Sequence, residues 1–508
     1  MNENLMDQPA AEAASPDISR QRTSPTIEGP GTAASKPVAV IARAPAIAAP
    51  YGHPPPRRPT DGSGARHLPA PQPLTRRIGK HPLLMHYNRL IIGALAINGA
   101  LFWFGLAVGD WWTGDDIQLK TISYAVQANF LITVVIRQQY AVNFLSWLAT
   151  RAPTRWPLKV RWTLAKVYHF GGLHVGFSVS ATLWFLVFVG SLTYSARQGE
   201  GGVSVATLVV CYALLALFLV IVMTALPRMR QRFHDTFESA HRFLGWAAVV
   251  LVWVNTVLFL SNTRGGASLA AAVVTAPNLW MLTAATTSTV VPWLRLRRVP
   301  IRVQRPSSHV AMVHLDVGAK PFIGSTRPIS HNPLLGWHTF ANIPAPANSA
   351  PGNTCFRLVV SRAGDWTSQF IDHPPSHVWV RGIPTAGMAN VRKLFTRVIF
   401  VATGSGIGPM MAHLLANEVP SRLVWSARNP RKTYGDEFVD ELLAVQPDAV
   451  IWDTDRYGKP DMVSLAYAEY VSFGAEAVIC IANKKLTWKV VHGLERRGVP
   501  AFGPIWDS

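Results

Sequence analysis

The chain reads as a membrane α-helical bundle of six transmembrane helices, followed by a cytoplasmic module made of a small antiparallel β-barrel and an α/β domain with a parallel sheet. Three features lead there. Hydrophobic residues make up 49% of the 508 residues and charged ones only 15%, too few to coat a wholly soluble protein of this size. The mean hydropathy of +0.18 averages unlike parts: a polar tail, an apolar middle and a globular end. Near residue 299 the apolar middle gives way to short β-like runs, and these in turn to strand–glycine–helix units.

Residues 1–82 are rich in Pro, Ala, Ser and Gly, with runs such as Pro54-Pro55-Pro56-Arg57-Arg58-Pro59. Such a segment buries too little apolar surface to offset its ordering entropy, so disorder is expected, and its first twenty residues lack the apolar core of a signal peptide. Within 83–297, six apolar stretches, near 88–109, 118–140, 163–193, 203–226, 239–261 and 269–293, match the ~20 residues that cross a hydrocarbon core of about 30 Å.

The loops between them alternate in charge. Asp110, Asp115 and Asp116 fall on one side. Arg151, Arg155, Lys159, Arg161 and Lys166 fall on the other, with Arg228, Arg230, Arg232, Arg295, Arg297, Arg298 and Arg302. Basic loops stay on the cytoplasmic side, so both termini are expected there. The net charge of +20 is therefore topological, and nucleic acid is not an expected partner: the cations form no single face interleaved with aromatics. Cys211, Cys355 and Cys480 show neither metal nor disulfide spacing, as suits a reducing compartment.

In 298–395 the runs His309–Asp316, Cys355–Ser361 and His377–Arg381 are punctuated by Gly and Pro, as in a small barrel. In 396–508, Arg397–Ala402 is an apolar strand running into Gly404-Ser405-Gly406-Ile407-Gly408-Pro409 and a helix start. Arg422–Ser426, Ala449–Asp453 and Ala477–Ala482 are further buried strands. Glycines allow a pyrophosphate to approach the backbone, and the helix N-terminus offers N–H donors, so this turn is a dinucleotide site or else simply a tight turn. At the next strand end Ser426, Arg428, Arg431 and Lys432 form a basic cluster. It suits a ribose 2′-phosphate, favouring NADPH over NADH, or is a solvated loop.

The final third resembles the ferredoxin–NADP reductase superfamily, in the branch joined to ferric reductases and NADPH oxidases. Trp337-His338-Thr339-Phe340-Ala341 is similar to that branch's flavin motif W-H-P-F-T, Gly364-Asp365-Trp366-Thr367 to its G-D-W-T, and Cys480 stands where the superfamily has C-G-P. Over about 85–508 the likeness is to TmpA-like fungal integral membrane proteins, described as flavin-binding transmembrane oxidoreductases. It is carried by Lys459-Pro460-Asp461-Met462, Asn483-Lys484-Lys485-Leu486 and the ending Pro500–Ser508. The resemblance implies FAD near Trp337–Phe340, NAD(P)H at Gly404–Pro409, and Cys480 and Trp506 (or Phe502) at the reacting end. Ala341 and Thr339 depart from the flavin motif, Ile481-Ala482 replaces Gly-Pro, and Arg381-Gly382-Ile383-Pro384 stands where a diphosphate-contacting G-P-Y-G is expected.

His169 and His174 lie in the third apolar stretch, and His234 and His241 begin the fifth. The resemblance implies haem between these two helices, with two ligands on each about four turns apart. Here all four histidines cluster at one end, and Leu183, Phe188, Val254 and Asn255 occupy the far positions. One haem b held by His174 and His241, with His169 as the alternative, is compatible; the other reading is that the histidines bond Glu238, Asp235 or carbonyls at the interface. The resulting expectation is a multi-pass NAD(P)H-dependent flavin oxidoreductase. It would pass electrons through FAD, with one inner-leaflet haem as a further relay, to a membrane-delivered or small-molecule acceptor. The rival is a non-catalytic binding or sensing module on a degenerate reductase fold. A transporter fits less well, with Pro277 and Asn278 its only hint.

Overall fold

The computed structural model describes residues 68–504 apart from 78, 80, 114–116, 200–202 and 347–353. Trp506, Asp115, Asp116 and the first 67 residues lie outside the described residues.

The apolar middle forms a helical bundle from α1 (His86–Ala107), α2 (Leu119–Val135), α3 (Gln139–Thr150), α4 (Gly171–Arg197), α5 (Val205–Ala225), α6 (His234–Thr263) and α7 (Pro277–Val290). Among the described residues four helices are long and apolar enough to cross a membrane, or up to six if each of two bent pairs counts as one span. One bent pair is α2 and α3, at 73°. The sequence had suggested a single straight helix to residue 140, but the polar run Arg137-Gln138-Gln139 breaks it, and the Gln138 side chain accepts from Tyr140 N–H to start α3 in a new direction. The other bend, 66°, falls at Pro277, which has no N–H to give the preceding turn.

The first sheet is antiparallel: β1 (Arg297–Gln304), β2 (Val310–Asp316), β3 (Ser325–Ser330), β4 (His338–Ala341), β5 (Ile343–Pro344), β6 (Cys355–Ser361), β7 (His377–Val380) and β8 (Thr385–Ala386). Its order is β4-β3-β7-β1-β2-β6-β5, with β8 on β3. The edge strands β4 and β5 are separated in sequence by Asn342 alone, so the sheet curls into a barrel. Its interior holds Val299, Ile301, Val313, Ile329, Leu358 and Val380. Helix α8 (Asp365–Asp372) caps the aromatic side of this barrel through Trp366 and Phe370.

The second sheet is wholly parallel, β11-β10-β9-β12-β13, from β9 (Val398–Thr403), β10 (Ser421–Ala427), β11 (Val450–Asp453), β12 (Ala477–Ile481) and β13 (Ala501–Phe502). Val398–Ala402 are buried on both faces, which is why this stretch is a continuous β-branched and aromatic run and not an alternating one. The strand order reverses between β9 and β12, and a doubly wound sheet opens a crevice at that switch point. Helix α9 (Ile407–Ala416) follows β9, and α10 (Lys484–Glu495) follows β12.

The bundle is bolted to both sheets. Arg161 donates to both carboxylate oxygens of Glu476 at 2.7 and 3.0 Å and to Leu394 O at 2.8 Å. Ala165 is part of the apolar cluster that also contains Phe395, Phe400, Ile407 and Phe502. The stretch expected to be disordered to residue 82 departs from that reading at its end. Pro69 O accepts from Arg497 Nε at 2.8 Å, Gln72 N–H donates to Arg496 O, and Leu68 packs on the α/β core. An extended proline-rich segment leaves its carbonyls free, and two arginines at the end of α10 supply complementary donors and carbonyls.

Candidate active site

The glycine turn stands at the C-terminal end of β9, in the switch-point crevice. Gly404 has φ +51°, and its carbonyl accepts from Trp425 Nε1 at 3.0 Å. A Cβ on Gly406 would lie 2.0 Å from Ile481 O, so only glycine lets the turn close onto β12. Gly408 faces the barrel: a Cβ there would be 3.4 Å from Val359 of β6. Ile407 is fully buried while Ser405 and Pro409 are partly open, so the turn presents the first-turn N–H groups of α9 at a crevice bordered by β12 and the barrel. These residues fit a dinucleotide.

Cys480 requires a correction. Its side chain is in the α/β core with Ile399, Val401 and Val490, and burial pushes its thiol up to about 12. Fully buried on the helix-covered face of β12, its side chain does not line the crevice, where the resemblance had put it at the reacting end. Phe502 is likewise fully buried, against Phe395 and beneath the Lys166 ammonium.

The basic cluster is partly neutralised. Arg428 is exposed and pairs with Asp455 at 3.3 Å, and Arg431 pairs with Asp436 and Asp440 at 3.1 and 2.7 Å. Ser426 is buried. Of the cations suited to a 2′-phosphate, Lys432 alone has no ion pair among the described residues, so the local field favours a phosphate less than residue counting suggested.

On the barrel, the flavin-type motif forms an aromatic shelf. The rings of His338 and Trp366 stack at 4.1 Å, and Phe340 faces Trp366 at 6.2 Å. Burial holds the His338 imidazole below its ordinary value despite Glu238 nearby. Thr339 is exposed, and Ala341 is buried with no side-chain polar atom to offer. Trp337 donates from Nε1 to Pro333 O at 2.9 Å. Its ring and that of Trp293 flank the Arg381 guanidinium, at 4.3 and 4.8 Å. Burial, then the Arg242 charge, lowers Arg381 to about 10. No carboxylate pairs with it among the described residues, so Arg381 is a largely desolvated cation without a counter-ion, beside the flavin motif.

The loop after Arg381 was the expected diphosphate contact, and its backbone is already committed. Gly382 N–H donates to Pro292 O at 3.0 Å, Ile383 N–H to Gln139 Oε1 at 3.0 Å, and Ala386 N–H to Asn143 Oδ1 at 2.7 Å. Asn143 Nδ2 in turn donates to Pro384 O at 2.9 Å. A diphosphate therefore fits this corner through the Arg381 side chain and not through a nest of N–H groups. Gln139 and Asn143 were not singled out from the sequence. Their signal was two amides one helical turn apart just after a polar break, in a region otherwise apolar.

Beyond Trp293 the aromatic contacts run into the bundle. Trp293 meets Trp246 at 5.7 Å, and Trp246 meets Phe243 at 5.5 Å, both on α6. The same helix carries His241, whose ring lies 6.2 Å from that of His174 on α4. His174 Nδ1 is tied to Thr133 O at 2.9 Å, which leaves Nε2 to face elsewhere. His169 is not with them: it is buried, stacked on His86 at 6.2 Å and against Tyr168 at 4.2 Å.

A family model described as "Adenylate-forming reductase 03009, C-terminal domain" matches residues 388–508. Adenylate-forming reductase 03009 of Coprinopsis cinerea is 42% identical over 431 residues, covering 84% of this chain and 41% of that protein. Adenylate-forming reductase 06235 of the same organism is 41% identical over 430 residues, again 84% of this chain and 41% of the relative. The chain thus spans about two-fifths of the length of the curated relatives it matches. Among solved structures, a ferredoxin NADP+ reductase from Neisseria gonorrhoeae with bound FAD and NADP aligns at 12% identity and TM-score 0.33, over 41% of this chain and 98% of that one. The relatives' name is not the integral-membrane name that the sequence motifs suggested.

Proposed function

We propose that this chain is a membrane-bound NAD(P)H-dependent flavin oxidoreductase whose electrons leave towards an acceptor at the reductase-side face of the bilayer. The observation that carries the reading is the position of the glycine turn: it closes onto Ile481 and abuts Val359 of the barrel, so a nucleotide on α9 would reach the barrel's aromatic shelf. The nicotinamide would supply a hydride, and FAD would take it and release electrons singly. The residues' own parts are positional. Gly404 and Gly406 admit the pyrophosphate, Trp337, His338, Thr339 and Phe340 border the flavin, and Arg381 holds its phosphate charge between two indoles. His174 and His241 would hold one haem iron on the side facing the barrel.

Membrane placement is part of the proposal. It is supported by the apolar helices and by the basic segment Arg151–Lys166, which lies on the same side as the reductase module through Arg161 and Glu476. By the positive-inside rule, the module and both ends of the bundle's polypeptide would then be cytoplasmic. A lipid-borne or small-molecule acceptor fits this geometry. The relatives' names support the word reductase; the adenylate-forming half of those names is not carried over to a chain that spans two-fifths of their length.

A second reading, a binding module without turnover, is favoured by the committed backbone of the 382–386 loop and by the inward-facing Cys480. One experiment separates the two. The full chain, purified in detergent with FAD added, is scanned before and after anaerobic NADPH. Flavin bands that bleach support the oxidoreductase, and a Soret shift lost in both His174→Ala and His241→Ala supports the haem. No retained flavin and no NADPH-dependent change would leave the binding module.

A further inference from the structure

A cavity of about 350 Å³ lies outside the nucleotide and flavin regions, where the start of α1 meets the basic segment before α4 and the last helix of the α/β domain. Arg89, Lys159 and Lys166 line it, against one carboxylate, Glu495. That carboxylate is already engaged: Lys166 Nζ is ion-paired to it, and Trp162 Nε1 donates to it at 3.2 Å. Lys166 also donates to Ala501 O at 3.1 Å. Arg89 is oriented by Leu84 O, at 2.6 Å from its Nε, and by Gly79 O. Lys159 is exposed and has no ion pair among the described residues. The cavity therefore has an excess of positive charge, a guanidinium fork held in place and one free ammonium.

We propose that this cavity binds the phosphate-bearing headgroup of an anionic lipid. A phosphate monoester is matched by a fixed guanidinium and a mobile ammonium, and basic pockets between helices at a cytoplasmic boundary are suited to such headgroups. A lipid fits better than a free phosphate ester because of what continues from the cavity. Along α1, Ile92 and Trp103 follow Arg89 on one face and are 54% and 66% exposed, a path for an acyl chain leaving a headgroup at Arg89. The opposite wall, Val491 and Glu495, belongs to α10, which follows β12 and precedes the edge strand β13 of the parallel sheet. An occupied cavity thus joins the bilayer surface to the nucleotide domain, tying its docking to lipid composition.

The inference rests on reading the apolar helices as membrane spans, so carbonate extraction of membranes comes first: recovery of the chain in the aqueous fraction would sink that reading, apart from the site itself. The full chain is then placed in nanodiscs of phosphatidylcholine with or without phosphatidic acid, and lipids retained after detergent release are counted by native mass spectrometry. Phosphatidic acid should be retained over phosphatidylcholine, by about fivefold less in Lys159→Gln and about twenty-fivefold less in Arg89→Gln/Lys159→Gln. Arg197→Gln, at the other end of α4, should retain it as the wild type does. Lys159 makes no contact that the fold needs, so its variant keeps the test open if the Arg89 variant misfolds. Equal retention of both lipids, or variants that bind like wild type, would overturn the site. Displacement of phosphatidic acid by millimolar glycerol 3-phosphate would overturn the lipid assignment in favour of a soluble phosphate ester.

Discussion

Replacing Gly406 by alanine sets two effects of opposite sign against each other. Gly406 has φ −57° and ψ −15°, an ordinary helical conformation, so the backbone itself tolerates any residue. Helix propensity alone would then make the alanine variant more stable by up to about 1 kcal/mol. The packing says otherwise. The new methyl would stand 2.0 Å from Ile481 O and 2.8 Å from its carbonyl carbon. Carbon and carbonyl oxygen approach to about 3.3 Å, so the turn must retreat from β12 by about 1.3 Å. Such overpacking costs about 1–3 kcal/mol, which outweighs the propensity gain. A retreat of about 1 Å from a reactive geometry costs about a hundredfold in rate. Thermal denaturation of the purified chain and stopped-flow reduction of its flavin by NADPH read the two consequences separately. Gly245→Ala on α6, where no atom lies within 4 Å of the added carbon, is the control and should alter neither. An alanine-406 chain as stable as wild type and reduced at the same rate would refute the argument that the turn's contact with Ile481 positions the nucleotide.

Three further outcomes follow from the same contacts. Arg161, donating to its carboxylate, holds Glu476 down at about 2 from the usual 4.5, so this pair's contribution is full above the unfolded value and is lost as pH falls through about 2. Glu476→Gln should cost about 2 kcal/mol at pH 7 and flatten the stability profile between pH 5 and pH 2; an unchanged profile would deny the pair a docking role. Asn143→Ala should leave the Ala386 N–H and the Pro384 carbonyl unmatched, at about 1–3 kcal/mol each, and expose 382–386 to limited proteolysis; cleavage at the wild-type rate would show that the bundle does not hold this loop. Arg381→Met should keep the fold but weaken FAD binding by about tenfold to a hundredfold, as for a lost charge-assisted bond; undiminished flavin content would remove Arg381 from the phosphate site.

Much of this architecture was legible because its signals are local. The run Val398–Ala402 is apolar throughout because both faces of a central parallel strand are buried, and the glycines after it mark where that strand ends. The strands expected at Cys355–Ser361 and Ala477–Ala482 appear as Cys355–Ser361 and Ala477–Ile481. Less legible were the strands β3, β4, β5 and β8, which are short, are interrupted by Pro328 in β3 and Pro344 in β5, and owe their pairing to barrel closure rather than to their own pattern. The bend between α2 and α3 was missed because hydropathy averages over a window and does not register a three-residue polar break.

Local sequence sets the apolar helices, the change to β and then to α/β structure, and the chemistry available at the glycine turn and the aromatic motif. Those depend on residues close together in the chain, where propensity, periodicity and backbone freedom act. Which candidates meet depends on the packing of distant segments. It turned Cys480 into the core, since a strand's alternation is assigned to a face only once both layers pack. It paired Arg428 with Asp455 and joined His174 to His241 while sending His169 to His86. It also tied the Ile383 and Ala386 N–H groups to Gln139 and Asn143, more than two hundred residues away, and left Arg381 without a carboxylate partner among the described residues. Charge partners and hydrogen-bond partners are fixed by distance in space, and the chain order carries that information only through the packing it produces.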